Sequence, residues 1–201
     1  MSGRDFQYIL FGYLSGSILF ARLWGILLHK NITAGSRDHN PGTANAFLYG
    51  GFWCGFLTLC GDLLKGFLPV YLYLYETEPS YGTALSFVMA APVLGHIIPI
   101  FCPFHGGKGI AVSFGCLLGL FPEMEPVCIL AGVFLFFSLI IKVTPHYYRT
   151  LITYVVSTIA MFFAQQQFAS GFFLITGIIT VKLLLSKEEK EHLQLEALWR
   201  H

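Results

Sequence analysis

Charge is scarce in these 201 residues: only 11% are Asp, Glu, Lys or Arg, against 55% hydrophobic residues and a mean hydropathy of +0.67. A soluble globular domain carries roughly 25% charged residues, so this composition does not supply a water-facing surface. A face of one charge sign is missing too. Twelve Lys+Arg nearly cancel eleven Asp+Glu, leaving a net charge of +1, and nucleic acid is excluded as a partner on that ground. There is no CxxC pair, no Cys–His set at zinc spacing and no internal repeat. Cys54, Cys60, Cys102, Cys116 and Cys128 therefore read as small buried side chains rather than redox or metal groups. No metal is expected, and an inverted-repeat transporter has no support.

What fills the chain is a series of apolar runs. They read as transmembrane helices over about 6–28, 52–75, 84–101, 110–121, 127–141, 151–164 and 168–185. The fourth and fifth fall short of the roughly 17–25 residues that a crossing needs, so a tilted helical hairpin is expected there. The fold class is all-α: a polytopic membrane protein of about seven spans. The first run is long enough to span and lacks an A-x-A-like end, so no cleavable signal peptide is expected. With the N-terminus outside, Lys30, Arg37, Lys108, Lys142, Arg149, Lys182, Lys187, Lys190 and Arg200 share one side. Only Arg4 lies opposite, beside Glu76, Glu78, Glu123 and Glu125. Basic loops stay cytosolic, which places the C-terminus inside. The charged tail from Lys187 onward reads as a solvated terminus or an exposed amphipathic helix.

Two glycine-rich loops interrupt the apolar pattern. One runs from Gly35 to Asn45 and includes Ser36, Arg37, Asp38, His39, Asn40, Gly42 and Thr43; the other holds His96, Pro99, His105, Gly106, Gly107, Lys108 and Gly109. Both fall on the cytosolic side at or near membrane depth, where irregular backbone is tolerated only if protein buries it or water reaches it. A shared cavity follows. Gly106-Gly107-Lys108-Gly109 leads into an apolar helix, whose amide N–H groups and dipole suit an anion. Lys108 would add a full charge, although such glycines also serve as plain turns and the spacing is not that of a P-loop. Asn45 reads as a polar substrate contact or as a cap of the second span. Asp62 and Lys65 share a helix face at i, i+3 inside the second span. They form either a self-neutralising pair or part of the cavity. His96 is a buried, hydrogen-bonded histidine or a cavity member, and Arg22 reads as a snorkelling side chain.

Together these segments resemble the PlsY family, bacterial integral-membrane acyl-phosphate:glycerol-3-phosphate acyltransferases. The residues that carry the resemblance are Asn40-Pro41-Gly42-Thr43-Ala44-Asn45, then Asp62-Leu63-Leu64-Lys65-Gly66, then Gly95-His96, Pro99, Phe101, Phe104 and Gly106-Gly107-Lys108-Gly109, with Gly16-Ser17-Ile18 in the first span. They cover residues 12–120 in the family's order and spacing. The resemblance implies seven helices in the bacterial inner membrane, with the N-terminus outside and the catalytic loops cytosolic. Residues 1–186 would be one acyltransferase-like domain and 187–201 a cytosolic tail. It also implies transfer of a fatty acyl group from acyl phosphate to the 1-hydroxyl of glycerol 3-phosphate, giving lysophosphatidic acid for phospholipid synthesis. No cofactor, acyl-CoA or obligate protein partner is implied. Membrane lipid is the surrounding partner.

On that resemblance Lys108, His96 and Asn45 are the catalytic candidates. Ser36, Arg37, Asp38, Asn40, Gly42, Thr43, His105, Gly106, Gly107 and Gly109 bind substrate or phosphate, with Asp62 and Lys65 in support. No His is followed five residues later by Asp or Glu, so the HX4D motif of the other large glycerolipid acyltransferase class is absent. Three positions depart from the family pattern. Asp38 stands where the family has a loop serine, with Ser36 two residues upstream. Leu48 replaces an arginine, and no Asn follows Asn45, which leaves the family's third motif incomplete. The alternatives are a different acceptor, or a non-catalytic lipid-binding or transport protein on the same fold.

Overall fold

The computed structural model describes residues 1–32, 40–76, 82–102, 105–186 and 193–197. It is mostly helical: α1 (Gly3–Gly16), α2 (Phe20–Leu27), α3 (Thr43–Gly50), α4 (Phe52–Glu76), α5 (Thr83–Ile97), α6 (Ile110–Leu118), α7 (Glu125–Leu135), α8 (His146–Ala164) and α9 (Gln166–Leu185). A π-helical turn, Phe136–Ile140, extends α7 into strand β1 (Ile141–Thr144). Among the described residues, three helical stretches are long and apolar enough to cross a membrane: Gly3–Leu27, Phe52–Glu76 and Gln166–Leu185. Helix occupies each of the seven stretches expected from the sequence. However, α6 has only nine residues, about 14 Å at 1.5 Å per residue, against a hydrocarbon core of about 30 Å.

Helix α5 is central, packed against α1, α4, α6 and α9. Eleven of its fifteen residues are buried, as expected for a helix that is apolar all round. Close helix approach rests on small residues, as in membrane packing generally. A β-carbon at Gly16 of α1 would overlap the Pro92 carbonyl of α5, and one at Gly95 would overlap the Tyr13 carbonyl. Large side chains from α6, α7, α8 and α9 (Leu117, Leu130, Tyr154, Phe172) fill the interior beside α5. Ile26, Phe163 and Leu185 remain exposed on surfaces suited to lipid.

The continuous first run expected over 6–28 is broken into α1 and α2. Leu19 has non-helical angles (φ −91°, ψ 88°), and tertiary hydrogen bonds stabilise the break. Ser17 Oγ donates to the Tyr13 carbonyl at 2.8 Å and accepts from Ile100 N at 3.2 Å. The Tyr13 hydroxyl donates to the Ile98 carbonyl at 2.9 Å. The supposed loop before the second span also contains α3, which Gly51 (φ 83°) separates from α4. Asn45 accordingly lies in the first turn of α3, and the reading in which it caps the second span is corrected. The tail differs as well. Residues 194–197 form β2 (Gln194–Ala197), antiparallel to β1 with Thr144 opposite Gln194. Pairing satisfies backbone groups of β1 that helix no longer serves.

Candidate active site

A cavity of about 1400 Å³ opens where α3, α4, α5, the start of α6 and the start of α8 converge. Asn40, Gly42, Thr43, Asn45, Asp62, His96, Lys108 and Gly109 line one part of it; Ile110, Phe114, Phe134, Pro145 and Tyr147 line another, with His146 between them in chemical character. Polar and apolar walls thus share one space, which suits an amphiphilic substrate. Ser36, Arg37, Asp38 and His39 lie outside the described residues, as does Phe104.

Beneath the cavity lies a buried ionic cluster. Lys65 Nζ is 2.8 Å from Asp62 Oδ1, 2.6 Å from the Ile18 carbonyl and 2.8 Å from His96 Nδ1. The Ile18 carbonyl and His96 Nδ1 take hydrogen-bond positions on the ammonium, and Asp62 supplies the counter-charge. The break between α1 and α2 supplies the first, because Arg22 N bonds to the Leu19 carbonyl instead of Ile18. Asp62 is 1% exposed, Lys65 4% and His96 3%, so this pairing offsets a desolvation that is several kcal/mol for each ion. The Phe20 ring faces Nζ at 5.6 Å from its centroid, and Thr43 Oγ1 donates to Asp62 Oδ2 at 3.1 Å.

The cluster sets the polarity of His96. An ammonium cannot accept a hydrogen bond, so His96 Nδ1 carries the lone pair and the ring proton sits on Nε2. That Nε2 edge abuts the glycine loop: a β-carbon on Gly107 would overlap it, and one on Gly106 would overlap the Ile97 and His96 carbonyls. Gly107 N donates to the His96 carbonyl at 3.1 Å. Gly109 has φ +82° and caps α6 from the left-handed region, which an L side chain rarely adopts. These glycines therefore fold the loop down onto the end of α5, with Lys108 half-buried at the cavity wall. On the facing side, Asn45 Nδ2 donates to the Asn40 carbonyl at 2.8 Å, holding the α3 entry loop closed.

The structure therefore brings Asn40, Gly42, Thr43, Asn45, Asp62, His96, Lys108 and Gly109 around one space, with Lys65 directly below. Gly106 and Gly107 are buried against His96 and Ile97 at the end of α5, next to the lining residues Lys108 and Gly109, and His105 is exposed beside them. Two residues escaped the sequence reading as site candidates. His146 opens α8 and lines the cavity; its only local signal is a histidine after Pro145 between two apolar runs. Lys182, read from the sequence only as a cytosolic-side cation, is half-buried in the last turn of α9. Its signal is a single charge inside an apolar run, a pattern that marks function in membrane helices. Among the described residues, no group of three or more His, Cys, Asp or Glu side chains is arranged to hold a metal.

Comparison with known proteins assigns this architecture. A family model described as Glycerol-3-phosphate acyltransferase matches residues 6–195. A protein named glycerol-3-phosphate acyltransferase from Francisella philomiragia is 34% identical over 185 residues, 90% of this chain and 87% of that one. One of the same name from Actinobacillus pleuropneumoniae is 39% identical over 125 residues. This chain spans 60% of that relative's length. Crystal structures of PlsY (YgiH), an integral membrane glycerol 3-phosphate acyltransferase, superpose with TM-scores of 0.75 for its glycerol 3-phosphate form and 0.72 for its lysophosphatidic acid form. Both are 25% identical, covering 90% of this chain and 88% of the other. With the family model matching nearly the whole chain and the fold shared, the chain belongs to the glycerol-3-phosphate acyltransferase family.

Proposed function

We propose that the protein transfers a fatty acyl group from acyl phosphate to the 1-hydroxyl of glycerol 3-phosphate, giving lysophosphatidic acid. Family membership supports the reaction class. The observation that carries the assignment to this site is the single cavity with a cationic, N–H-rich wall and an apolar wall. In this reading the backbone of Gly106, Gly107 and Gly109 and the Lys108 ammonium bind the phosphate of the acyl donor. Asn45 and Thr43 position polar substrate atoms, and Asn40 and Gly42 shape the same wall. His96 presents Nε2–H to the reacting carbonyl or phosphate oxygens, where a preorganised donor lowers the barrier. Asp62 and Lys65 hold His96 rather than touch substrate. Ser36, Arg37, Asp38 and His105 complete the anion-binding loops. No cofactor is needed, since the acyl–phosphate bond is already activated. The seven helical stretches would span a bacterial inner membrane, N-terminus outside and both loops cytosolic, on the strength of the basic-residue asymmetry.

A second reading keeps the chemistry and changes the acceptor. It is favoured by Leu48, which lines the cavity and is 75% exposed where the family pattern has an arginine. The test is acyl transfer by purified protein in detergent or lipidic mesophase, with Lys108→Ala in parallel. Lysophosphatidate formed by the wild type and lost in the variant supports the proposal. Acyl phosphate consumed only with other hydroxyl acceptors supports the second reading, and full activity of Lys108→Ala overturns the assigned role of the glycine loop.

A further inference from the structure

A second pocket, of about 670 Å³, lies at the end of α2, where Arg22, Ile26, His29 and Lys30 are among its lining residues. These differ from the residues of the large cavity. Pro41, set between the cavity residues Asn40 and Gly42, is where the two adjoin. The backbone that builds the pocket is fixed. Helix α2 ends in a reversal closed by Lys30 N to the Gly25 carbonyl at 2.7 Å and His29 N to the Ile26 carbonyl at 3.2 Å, the paired bonds of a Schellman cap. A β-carbon on Gly25 would crowd the Lys30 carbonyl at 3.1 Å. Buried Ile32 anchors the returning chain in a cluster with Ala21, Ala46 and Cys54. His29 occupies the left-handed position of this cap at φ 52°, which glycine usually takes. A backbone outlier kept where glycine would be easier points to a use for the side chain.

The charges around the pocket indicate that use. Arg22 is in the first turn of α2, where the helix dipole disfavours a cation, yet it lines the same pocket as Lys30. Among the described residues no carboxylate lines the pocket, and none pairs with Arg22 or Lys30. Two cations and an imidazole therefore border one recess without a counter-charge from those residues. Beside it α2 exposes Leu23, Ile26 and Leu27, an apolar face suited to acyl chains. Phosphate next to hydrocarbon is the chemistry of a phospholipid, and basic pockets between membrane helices bind such headgroups. We propose that the recess bordered by Arg22, His29 and Lys30 is a binding site for the phosphate of an anionic phospholipid, separate from the acyl-transfer cavity. The rigid cap holds His29 and Lys30 at the end of α2, and Arg22 meets them from one to two turns earlier on the same helix.

The test is phosphatidylglycerol binding by the purified full chain in neutral detergent, followed by native mass spectrometry, with phosphatidylcholine as the net-neutral control. Wild type is expected to bind phosphatidylglycerol more tightly than phosphatidylcholine. Arg22→Gln and Lys30→Gln should each weaken phosphatidylglycerol binding by about fivefold, the contribution of one basic residue near an anionic surface. The double variant should lose the preference while its phosphatidylcholine binding is unchanged. His29→Gly should also weaken phosphatidylglycerol binding, yet hold or raise the lipid-free melting temperature, because glycine suits the left-handed angle. It decides the question if the Gln variants do not fold. Equal binding of the two lipids by wild type overturns the proposal, as does full phosphatidylglycerol preference in a folded double variant or in His29→Gly. Inorganic phosphate is titrated in parallel. Phosphate binding that depends on Arg22 and Lys30, with no preference for phosphatidylglycerol, would assign the pocket to a soluble anion and overturn the lipid source.

Discussion

Lys65 Nζ stands 2.8 Å from His96 Nδ1, and the same ammonium is 2.8 Å from Asp62 Oδ1. A cation that contacts both a carboxylate and an imidazole fixes the imidazole as an acceptor at that edge. It therefore determines which edge of His96 carries a proton toward the cavity. Helix α4 thus acts on the site through α5, and the break between α1 and α2 completes the coordination through the Ile18 carbonyl.

Removal of Lys65 leaves Asp62 buried without its counter-charge. Lys65→Met is expected to destabilise the protein by about 3–5 kcal/mol, the usual result of breaking one side of a buried pair. The double variant Asp62→Leu/Lys65→Met, which removes both charges, should recover much of that loss. Thermal unfolding in detergent, followed by Trp fluorescence, separates the two. Activity should remain low in the double variant, because His96 no longer has a donor at Nδ1. Recovery of both stability and activity would show that the pair has no influence on the imidazole.

Gly107→Ala places a methyl group where His96 Nε2 now lies. The ring cannot move toward Lys65 without compressing a 2.8 Å contact, so the loop must lift and carry Lys108 with it. The expected result is a folded protein with a large loss of acyl transfer and a raised KM for acyl phosphate. Gly132→Ala and Gly177→Ala are the matched controls, since nothing lies within 4 Å of the new methyl at either position. Both sit inside helices, where Gly to Ala is worth up to about 1 kcal/mol of stability. They should leave turnover unchanged and hold or raise the melting temperature.

Some of this was legible in the sequence, for physical reasons that can be named. Asp62 and Lys65 declared themselves because charge inside an apolar run needs a partner, and i, i+3 spacing provides one. The glycine loops declared themselves because close backbone approach demands glycine, as Gly107 against His96 now illustrates. The break at Ser17–Leu19 did not. Its stabilising bonds come from Ile98, Ile100 and Lys65, distant in sequence, while the local run remains apolar throughout. Helix α3 was hidden by the turn-forming composition around it, and tertiary contact with α4 overrides that local preference. His146 was silent because it joins the cavity wall only once the packed bundle creates that cavity.

Thr43→Val tests the bond from α3 to the ionic cluster. The substitution keeps shape and removes the hydroxyl that donates to Asp62 Oδ2 at 3.1 Å. A hydrogen bond to a charged group contributes about 1.5–3 kcal/mol, so a loss of stability of that order is expected, read as a lower melting temperature. Thr43→Ser should retain most of the stability. Because Thr43 also lines the cavity, a change in KM for glycerol 3-phosphate that exceeds the stability effect would indicate direct substrate contact.

Helix α8 supplies the opposite kind of prediction, a buried polar group whose removal helps. Ser157 Oγ and Thr153 Oγ1 are buried one turn apart on α8 with no hydrogen-bond partner among the described residues. Their neighbours are better satisfied: Tyr154 and Ser113 share a short hydroxyl–hydroxyl contact, and Thr158 reaches Thr176 at 2.8 Å. An unpaired buried hydroxyl is unfavourable by about 1–3 kcal/mol. Ser157→Ala and the near-isosteric Thr153→Val are therefore expected to raise the melting temperature or leave it unchanged, while Thr158→Val lowers it by leaving Thr176 without its partner. Activity should be unaffected in Ser157→Ala, which lines no part of the cavity. A clear destabilisation of Ser157→Ala would mean that its hydroxyl has a partner in the membrane-embedded protein, and the same assay repeated in lipid would locate that partner on the bilayer or the aqueous side.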